Sequence, residues 1–536
     1  MSQLDEELHL KPEVFQKMNN LRLLKIYSFG VDVKVYINQD LQSLPSSLRY
    51  LHWEGYPSKQ LPSNFQPQNL FELNLPRSQL EQLFNGVQNL ENLKSIDLSN
   101  SIHLIQFPDF SNAPNLEKIN LKYCKSLTEV PSHCLRNLNK LIDLNLSHCN
   151  AIEGLSDGVD LTFLRNLSVR GCSNLKTFPA VINLSISNLN ALRMLELSSC
   201  KKLECMPPSF GPLYLRRIYL SDCDIREIPE TIKGLELKWL HIDNCKNLKF
   251  LPELPLTLEL ISARRCVSLE MVSSTEKAFT QKFWDDYTTD TYDGDGCWDC
   301  LFYDCFKLDQ NGRQTINTEF QLRVLSLAAR PRRPGYMIGR SSVNTCYPGN
   351  EIPNWFYNQV EGSSIIIKLP QQWHDIKFLG FVVCAVGDSY IASAKVAGLR
   401  CELNFVLING ENRKFSSVFT RDNCPVVQPL LPPVNSDHVY MWYCPPYYNN
   451  RLDAVVDYNI CLDAVEVTFQ FAFDEFNVSR EDVDIMKPSK CEVKRCGIRM
   501  LYQKDLDEFF SNNEYLLEPP AKKTKKSENI TGAISA

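Results

Sequence analysis

The chain has 536 residues, of which 44% are apolar and 22% are charged, and this balance is typical of a soluble protein with two or more domains. Its formal net charge is -6 and its pI is about 5.9. No general positive field therefore favours nucleic acid or an anionic membrane surface.

The first residues, MSQLDEELHL, are acidic and polar where a secretory signal needs a basic start and an apolar run. The longest apolar run, residues 378–386, is too short to span a bilayer. We therefore expect a cytoplasmic protein whose twenty cysteines are mostly free thiols, although their even number also permits disulfides.

In chain order, a short helix is predicted at about Pro12 to Met18, and an apolar pattern that repeats follows it directly. The pattern is clearest in residues 116–131, LEKINLKYCKSLTEVP, which have the L-x-x-L-x-L-x-x-C spacing of a leucine-rich repeat. Copies begin every 21 to 28 residues, which predicts a solenoid of about eleven turns. The other copies start at Leu21, Leu48, Leu70, Leu93, Leu141, Leu164, Leu192, Leu215, Leu237 and Leu258.

Each copy predicts one short strand of a parallel sheet, because alternating apolar residues point inward and their neighbours point to solvent. A single copy cannot bury its apolar row, so the copies must stack. The cysteine that closes the pattern lies where the backbone turns away from the strand, and we expect it to be buried, reduced and stacked in a ladder. These cysteines are Cys124, Cys149, Cys172, Cys200, Cys223, Cys245 and Cys266.

Prolines recur after the second apolar cluster of most copies, and a proline there ends a helix and favours an extended return path. The convex side of the solenoid should therefore hold irregular or 3₁₀ segments. The prolines are Pro45, Pro62, Pro108, Pro131, Pro179, Pro207, Pro229 and Pro252.

The repeats fade after Cys266, so residues 1–267 are assigned to the solenoid and residues 268–345 to a connector. The connector contains an acidic loop, a predicted amphipathic helix near Asn317 to Ala329 and a basic loop. Cys297, Cys300 and Cys305 have a C-x-x-C-x4-C spacing that a zinc ion can use if a fourth ligand comes from elsewhere. No histidine lies nearby, so packed apolar thiols are the favoured interpretation.

Residues 346–510 predict an antiparallel β-sandwich. Short runs rich in β-branched and aromatic residues, such as SSIIIKL, FLGFVVCAV and VEVTFQFAF, are separated by Gly, Pro, Asn and Asp. The tail, residues 511–536, is polar, ends in a basic run and is expected to be disordered.

Five stretches resemble plant intracellular immune receptors. They are the repeat form LxxLxLxxCxxLxxxP, the opening PEVFQKMNNLRLLKIY, the segment LRYLHWEGYPSKQLPSNFQPQNLFELNLPRSQLEQLFNGVQNLENLKSIDLS, DCFKLD at 304–309 and YPGNEIPNWF at 347–356. The receptors are of the class with a TIR domain, a nucleotide-binding NB-ARC domain, leucine-rich repeats and a jelly-roll domain called C-JID. The resemblance covers nearly the whole chain, and it implies that residues 346–510 are the C-JID domain.

The same resemblance implies that TIR and NB-ARC domains would precede Met1. Family members cleave NAD in the TIR domain and bind ATP or ADP through a glycine-rich loop of NB-ARC. The sequence contains no G-x-x-x-x-G-K-[ST] motif. We therefore expect no catalytic activity, no cofactor and no small-molecule substrate for this chain.

The concave face of the predicted sheet offers the candidate partner-binding surface, since exposed Arg, Tyr and Trp dominate interface energetics. Ordinary solvated residues are the alternative interpretation. An acid–base site at His241 is disfavoured, because Trp239, His241 and Asp243 should face solvent in a row with no nucleophile near them. The candidates are Arg170, Arg217, Tyr219, Trp239, His241, Asp243 and Arg264.

Two further groups of residues are singled out. In the YPGNEIPNWF motif, Gly349 should permit a turn, Pro353 should fix an extended path, and the aromatic pair should anchor the domain by burial. In the tail, four lysines after two prolines resemble a nuclear import signal or a solubilising end. The motif residues are Tyr347, Pro348, Gly349, Ile352, Pro353, Trp355 and Phe356, and the tail lysines are Lys522, Lys523, Lys525 and Lys526.

The resemblance implies a ligand-sensing module that recognises a pathogen effector protein through the concave repeats and the C-JID loops. Its second implied partner is the TIR and NB-ARC region of a receptor, in cis or in trans. The alternative is a truncated regulatory or decoy scaffold that binds a full-length receptor or a host protein. The expected location is the cytoplasm, with the nucleus as a second compartment.

Overall fold

The computed structural model describes the greater part of the repeats and of the antiparallel region. The described residues are 8–26, 35–37, 40–135, 138–155, 164–177, 192–206, 215–276, 278, 298–329, 343–373, 378–388, 396–419, 436–445, 447–449, 455–457, 463–478, 483–488 and 491–513.

The repeats form a parallel sheet of short strands, as the spacing predicts. In most of them the middle residue is buried and its neighbours are less buried, because alternate side chains point to opposite faces. The strands of this part are β1 Leu8–Leu10, β2 Leu23–Ile26, β3 Val35–Ile37, β4 Tyr50–Trp53, β5 Glu72–Asn74, β6 Ser95–Asp97, β7 Lys118–Asn120, β8 Asp143–Asn145, β9 Asn166–Ser168, β10 Met194–Glu196, β11 Arg217–Tyr219, β12 Trp239–His241, β13 Phe250–Leu251, β14 Leu260–Ser262, β15 Met271–Val272 and β16 Trp298–Leu301.

One parallel sheet runs in chain order from β2 through β4 to β12 and on to β14 and β16. The strands β1 with β3, and β13 with β15, form two small parallel sheets of their own. The predicted solenoid is therefore confirmed.

The convex side carries short segments, as the prolines predict: α1 is Ser132–Leu135, and 3₁₀ helices span Pro67–Asn69 and Glu230–Gly234. The helix predicted at Pro12 to Met18 is a series of turns instead. Backbone N–H groups in this segment donate to the carbonyl three residues earlier, as from Val14 to Lys11. An α-helix would require the carbonyl four residues earlier.

The connector helix α2, Gln310–Ala328, begins earlier than the sequence predicts. The cause is a cap, because the Asp309 carboxylate accepts a hydrogen bond from the Gly312 N–H at 2.6 Å and satisfies an otherwise free donor. The last helix, α3, spans Gln503–Asn513.

The cysteine ladder is confirmed: the seven predicted cysteines are buried and unpaired with other thiols. The structure adds a role that the pattern alone does not give. Each thiol donates to a backbone carbonyl of the preceding repeat, as from Cys124 to Leu98 at 3.2 Å and from Cys266 to Ile242 at 3.0 Å. An earlier repeat has Ser101 at this position, and its hydroxyl donates to the Leu75 carbonyl at 3.3 Å. The position therefore requires a small side chain that can also donate.

A second ladder lies one residue before the cysteines. The residue there has a positive φ, as at Tyr123 (65°) and Asn244 (59°), a conformation that costs a non-glycine residue roughly 1–2 kcal/mol. Its N–H donates to a carbonyl of the next repeat, from Tyr123 to Ser147 at 2.7 Å and from Asn244 to Arg264 at 2.6 Å. These bonds offset the backbone strain and join neighbouring repeats.

The repeat register continues beyond Cys266, the last residue of the repeat pattern in the sequence. Strand β16 pairs with β14, placing Cys300 beside Ile261. The Cys305 thiol donates to the Ala263 carbonyl at 2.9 Å, which is the ladder bond of an additional repeat. Both cysteines are buried in the apolar core, which supports the packed-thiol interpretation, while Cys297 lies outside the described residues.

The antiparallel strands predicted after the connector are present. They are β18 Asn358–Glu361, β19 Ser364–Lys368, β20 Phe378–Asp388, β21 Val396–Leu407, β22 Asn412–Phe419, β23 Asp437–Cys444, β24 Tyr447–Asn449, β25 Val455–Asp457, β26 Ala464–Val478, β27 Val483–Pro488 and β28 Val493–Tyr502; β17, Val343–Pro348, precedes them.

Strand β17 joins the two parts of the molecule, because it pairs in parallel with β16 and antiparallel with β23. The sheet then continues through β20 and β28 to β18. A second sheet has the order β19, β26, β21, β22, with β27 also on β26. The sequence predicts a separate domain packed on the end of the solenoid, whereas the structure shows one sheet that passes from the repeats into the antiparallel strands.

We expect the ladder thiols to resist alkylation in the native protein. Burial raises the pKa of the Cys124 thiol to about 12, and the thiolate is the reactive species. The exposed Cys205 should be modified readily. Peptide mapping after brief iodoacetamide treatment measures both rates, with the denatured chain as the control in which all cysteines react. Native modification of Cys124 as fast as Cys205 would contradict the buried ladder.

Candidate functional site

The last repeats meet the antiparallel sheets at the concave face. Leu260 of β14 and Leu301 of β16 belong to the apolar core that the two antiparallel sheets share, and Trp239 of β12 packs against the margin of that core. The concave face near β14 is therefore covered, and the open part of the face ends near β12.

Arg217 and Trp239 form a pair at this boundary. The guanidinium carbon of Arg217 lies 4.3 Å from the centroid of the Trp239 ring, a cation–π geometry. Arg217 is exposed and Trp239 is half-buried. A pre-stacked cation and ring at the edge of a covered apolar surface is an arrangement that suits a protein contact.

Tyr219 and His241 do not face solvent, which corrects the sequence prediction. Tyr219 is 8% exposed and His241 is 2% exposed, and their rings stack with centroids 4.8 Å apart. Burial lowers the pKa of His241 to about 4, although Asp243 raises it and Arg264 lowers it further. Alternation along the strand correctly gives the direction of the two side chains but does not show what covers them.

Asp243 and Arg264 organise the turn after these strands. The Asp243 carboxylate accepts hydrogen bonds from the Ser262 hydroxyl at 2.6 Å and from the Arg264 N–H at 2.9 Å. The Arg264 guanidinium lies 5.8 Å from the Tyr303 ring centroid. Asp243 therefore holds a neighbouring repeat in place.

Arg170 follows β9, which is two strands away from β11 in the sheet order, a separation of roughly 10 Å between the two strands. The structure thus joins six of the seven predicted partner-binding residues in three contacting pairs, and Arg170 belongs to none of these pairs. The six are Arg217, Tyr219, Trp239, His241, Asp243 and Arg264.

We expect His241 to make the protein less stable in mild acid. The native state keeps this imidazole neutral while the unfolded chain binds a proton near pH 6.5, so stability is lost as the pH falls from about 6.5 to about 4, by roughly 2–3 kcal/mol. His241→Phe keeps a ring on Tyr219 and should make the pH dependence of the unfolding midpoint shallower. The exposed His103→Phe is the control, and equal profiles for both variants would refute the assignment.

The YPGNEIPNWF motif lies between the repeats and the antiparallel strands. Tyr347 is buried and its hydroxyl donates to the Asn317 side chain of α2 at 2.6 Å. Pro348 ends β17 opposite His438. Gly349 does not have a positive φ. A Cβ at this position would lie 3.1 Å from the Val439 side chain. The glycine is therefore explained by the lack of room for a side chain and not by a left-handed turn.

Ile352 and Phe356 are buried as predicted, and Phe356 follows a turn in which its N–H bonds the Pro353 carbonyl. Trp355 is only half-buried. It packs edge-on against Phe320 of α2 with centroids 6.2 Å apart. Its role as an anchor therefore depends on contacts with the helix more than on full burial.

Arg499 of β28 holds this motif, and sequence reasoning missed it. Its guanidinium donates to the Trp355 carbonyl at 2.8 Å and to the Asp505 carboxylate at 2.5 Å. It also lies over the rings of Trp355 and Tyr357, 4.8 and 4.3 Å from their centroids. An arginine within an apolar strand pattern, RMLY, was the available signal.

His438 was also missed, and it ends the ladder of positive-φ residues. Asp304 has a φ of 60°, and its N–H donates to Nε2 of His438 at 3.0 Å instead of to a further repeat. Because Nε2 accepts, Nδ1 carries the proton and donates to the Ser436 carbonyl at 3.1 Å. Burial lowers the pKa of His438, consistent with a neutral ring.

Comparisons with known proteins agree with the resemblance drawn from the sequence. A family model described as the C-JID domain matches residues 347–507. Disease resistance-like protein DSC1 of Arabidopsis thaliana is 28% identical over 94% of this chain and 50% of its own length. Disease resistance protein RPS4B is 27% identical over 94% and 45%, and disease resistance protein LAZ5 is 30% identical over 83% and 43%, both from the same plant.

The chain spans about half the length of the curated relatives it matches. In the part of the chain that the structure describes, no helix combines the length and the hydropathy that crossing a bilayer requires. The matches support an assignment to the leucine-rich-repeat and C-JID portion of receptors that carry TIR and nucleotide-binding domains.

Proposed function

We propose that this chain is the part of a plant disease resistance protein that recognises a pathogen effector protein. The premise is that it has the leucine-rich-repeat and C-JID regions of such a protein. The observation that carries the proposal is the exposed Arg217 stacked on the half-buried Trp239 where the open concave face meets the C-JID core. Arginine and tryptophan are enriched at the energetic centres of interfaces.

Four other residues of the predicted surface hold the strands that carry this pair. The stacked rings of Tyr219 and His241 and the Asp243–Arg264 turn fix the neighbouring strands. A rigid, pre-formed surface loses little conformational entropy on binding. In this proposal the effector contacts Arg217 and Trp239 and does not contact His241.

The test joins this chain to the TIR and NB-ARC region of a matched relative and scores cell death against a library of secreted pathogen effectors. An effector that triggers a response should lose it with Trp239→Ala and with Arg217→Glu. Lys249→Glu, between β12 and β14, is the control for the added negative charge. Responses that survive both concave substitutions, with the proteins at equal abundance, would refute the proposed surface.

A regulatory or decoy scaffold that binds a full-length receptor or a host protein is the second candidate. The observation that favours it is the continuous sheet joining the repeats to the C-JID strands, which would give a rigid binding surface for either kind of partner. It predicts that the chain alone, without signalling domains, changes the response of a co-expressed full-length relative. In both proposals residues 346–510 are a C-JID sandwich of jelly-roll type, and the role is binding and not catalysis.

We also propose a cytoplasmic location with access to the nucleus through the tail. Lys522, Lys523, Lys525 and Lys526 lie outside the described residues, and their grouping after Pro519 and Pro520 suits an importer that takes extended basic segments. Changing all four lysines to alanine should lower the nuclear fraction of a fluorescent fusion. The same change at four scattered surface lysines is the control, and an unchanged fraction would leave the tail a solvated end.

A further inference from the structure

A second surface lies in the middle of the repeats, around two stacked rings. Tyr123 and His148 occupy successive positions of the positive-φ ladder, and their rings lie parallel with centroids 4.4 Å apart and an interplanar angle of 6°. The next ladder position is Gly171, where a Cβ would lie 2.3 Å from Nδ1 of His148. The His148 ring is thus held between the Tyr123 ring and the backbone of Gly171.

Three cations surround this stack. The ammonium of Lys122 lies 5.1 Å from the Tyr123 ring centroid. The His148 N–H donates to the Arg170 carbonyl at 2.6 Å, which places Arg170 beside the stack. Burial lowers the pKa of His148, and Lys122, Arg170 and Lys125 lower it further. Among the described residues none of the three forms an ion pair, in contrast to many other cations of the repeats.

Glu196, a carboxylate that interacts electrostatically with Arg170, already has a hydrogen-bond partner. Its side chain is half-buried and accepts a hydrogen bond from the Ser198 N–H at 3.0 Å. Lys122, Lys125 and Arg170, which form no ion pair among the described residues, repel one another on a chain whose net charge is -6. An anionic partner would relieve that repulsion.

The geometry distinguishes between kinds of anionic partner. Nucleic acids bind such places by stacking bases on aromatic faces, but the His148 ring has Tyr123 on one face and Gly171 on the other. The rim of the surface is apolar on the preceding repeat, where Ile102 is 45% exposed and its carbonyl accepts from the Ser126 hydroxyl. Carboxylates flanked by an apolar side chain match these features.

We infer that Lys122, Lys125 and Arg170, arranged around the Tyr123–His148 stack, bind an acidic segment of a partner protein. This surface is separate from the Arg217–Trp239 pair, and the inference does not depend on the proposed function. The three cations supply long-range attraction and orientation, while Ile102 adds an apolar contact.

Fluorescence anisotropy with a labelled hexaglutamate peptide tests the inference on the whole chain. Binding should weaken as ionic strength rises, and the variant Lys122→Gln/Lys125→Gln/Arg170→Gln should weaken it by about tenfold. The matched control is Lys59→Gln/Lys176→Gln/Arg226→Gln, which removes equal charge from cations that pair with glutamates. Equal weakening by both variants would show a general charge effect and overturn the inference.

A second readout locates the peptide. A carboxylate beside the stack should raise the pKa of His148, which NMR of the ring protons measures with and without hexaglutamate. An unchanged His148 titration at saturating peptide would overturn the assignment to this surface. If a phosphoserine peptide binds and hexaglutamate does not, the inference of a carboxylate ligand is wrong and the ligand is a phosphate.

Discussion

Replacing His438 by alanine is expected to lower the free energy of unfolding by about 2–4 kcal/mol. The side chain is fully buried, so its removal leaves a cavity. It also leaves the Asp304 N–H without the acceptor that now lies at 3.0 Å. An unsatisfied buried donor next to a cavity is among the costliest results of a single substitution.

His438→Gln is the matched variant, because its side-chain oxygen can reach the position of Nε2 and accept the same hydrogen bond. We expect it to recover part of the loss. Denaturant unfolding followed by circular dichroism gives the midpoints of all three proteins. Identical midpoints for His438→Ala and the parent would mean that Asp304 has another acceptor and that the ladder does not end at His438.

Replacing Phe381 by alanine is expected to cost about 3–5 kcal/mol. Phe381 of β20 is fully buried and lies on the sheet that continues from the repeats. Its ring contacts Phe469 of the second sheet edge-on with centroids 5.2 Å apart, and Trp373 and Phe405 lie within 6.1 and 6.3 Å. Alanine removes one of the aromatic rings that join the two sheets.

Phe71→Ala is the control, since Phe71 lies in the repeats and is 41% exposed. It should shift the unfolding midpoint much less. The shape of the Phe381→Ala transition is informative as well. If the antiparallel strands separate first, a second transition from the repeats should remain. A midpoint shift no larger than that of Phe71→Ala would contradict the shared core.

The repeats could be predicted from sequence because each repeat carries its own apolar residues within a short window. Leu121 and Cys124 show the inward direction and the turn without reference to distant residues. The cysteine ladder could be predicted for the same reason. The motif at 347–356 was also found locally, and most of its apolar residues are buried.

Contacts between distant residues could not be predicted in this way. His438 meets Asp304 across 134 positions, and Arg499 meets Trp355 across 144. The repeat that contains Cys300 and Cys305 follows a long gap after Cys266, so the period no longer identifies it. The burial of His241 depends on what covers the concave face, and strand alternation carries no information about that.

The ladder of positive-φ residues has a consequence for exchange of repeats between related chains. Each internal link uses a backbone donor and a backbone acceptor, as from Asn100 to Lys122 and from Ser199 to Ser221, so almost any repeat can follow any other. Removing or duplicating a whole internal repeat should therefore preserve every link. The final link uses the His438 side chain as its acceptor. In a chimaera, the last repeat and the strand that carries His438 should therefore come from the same parent protein.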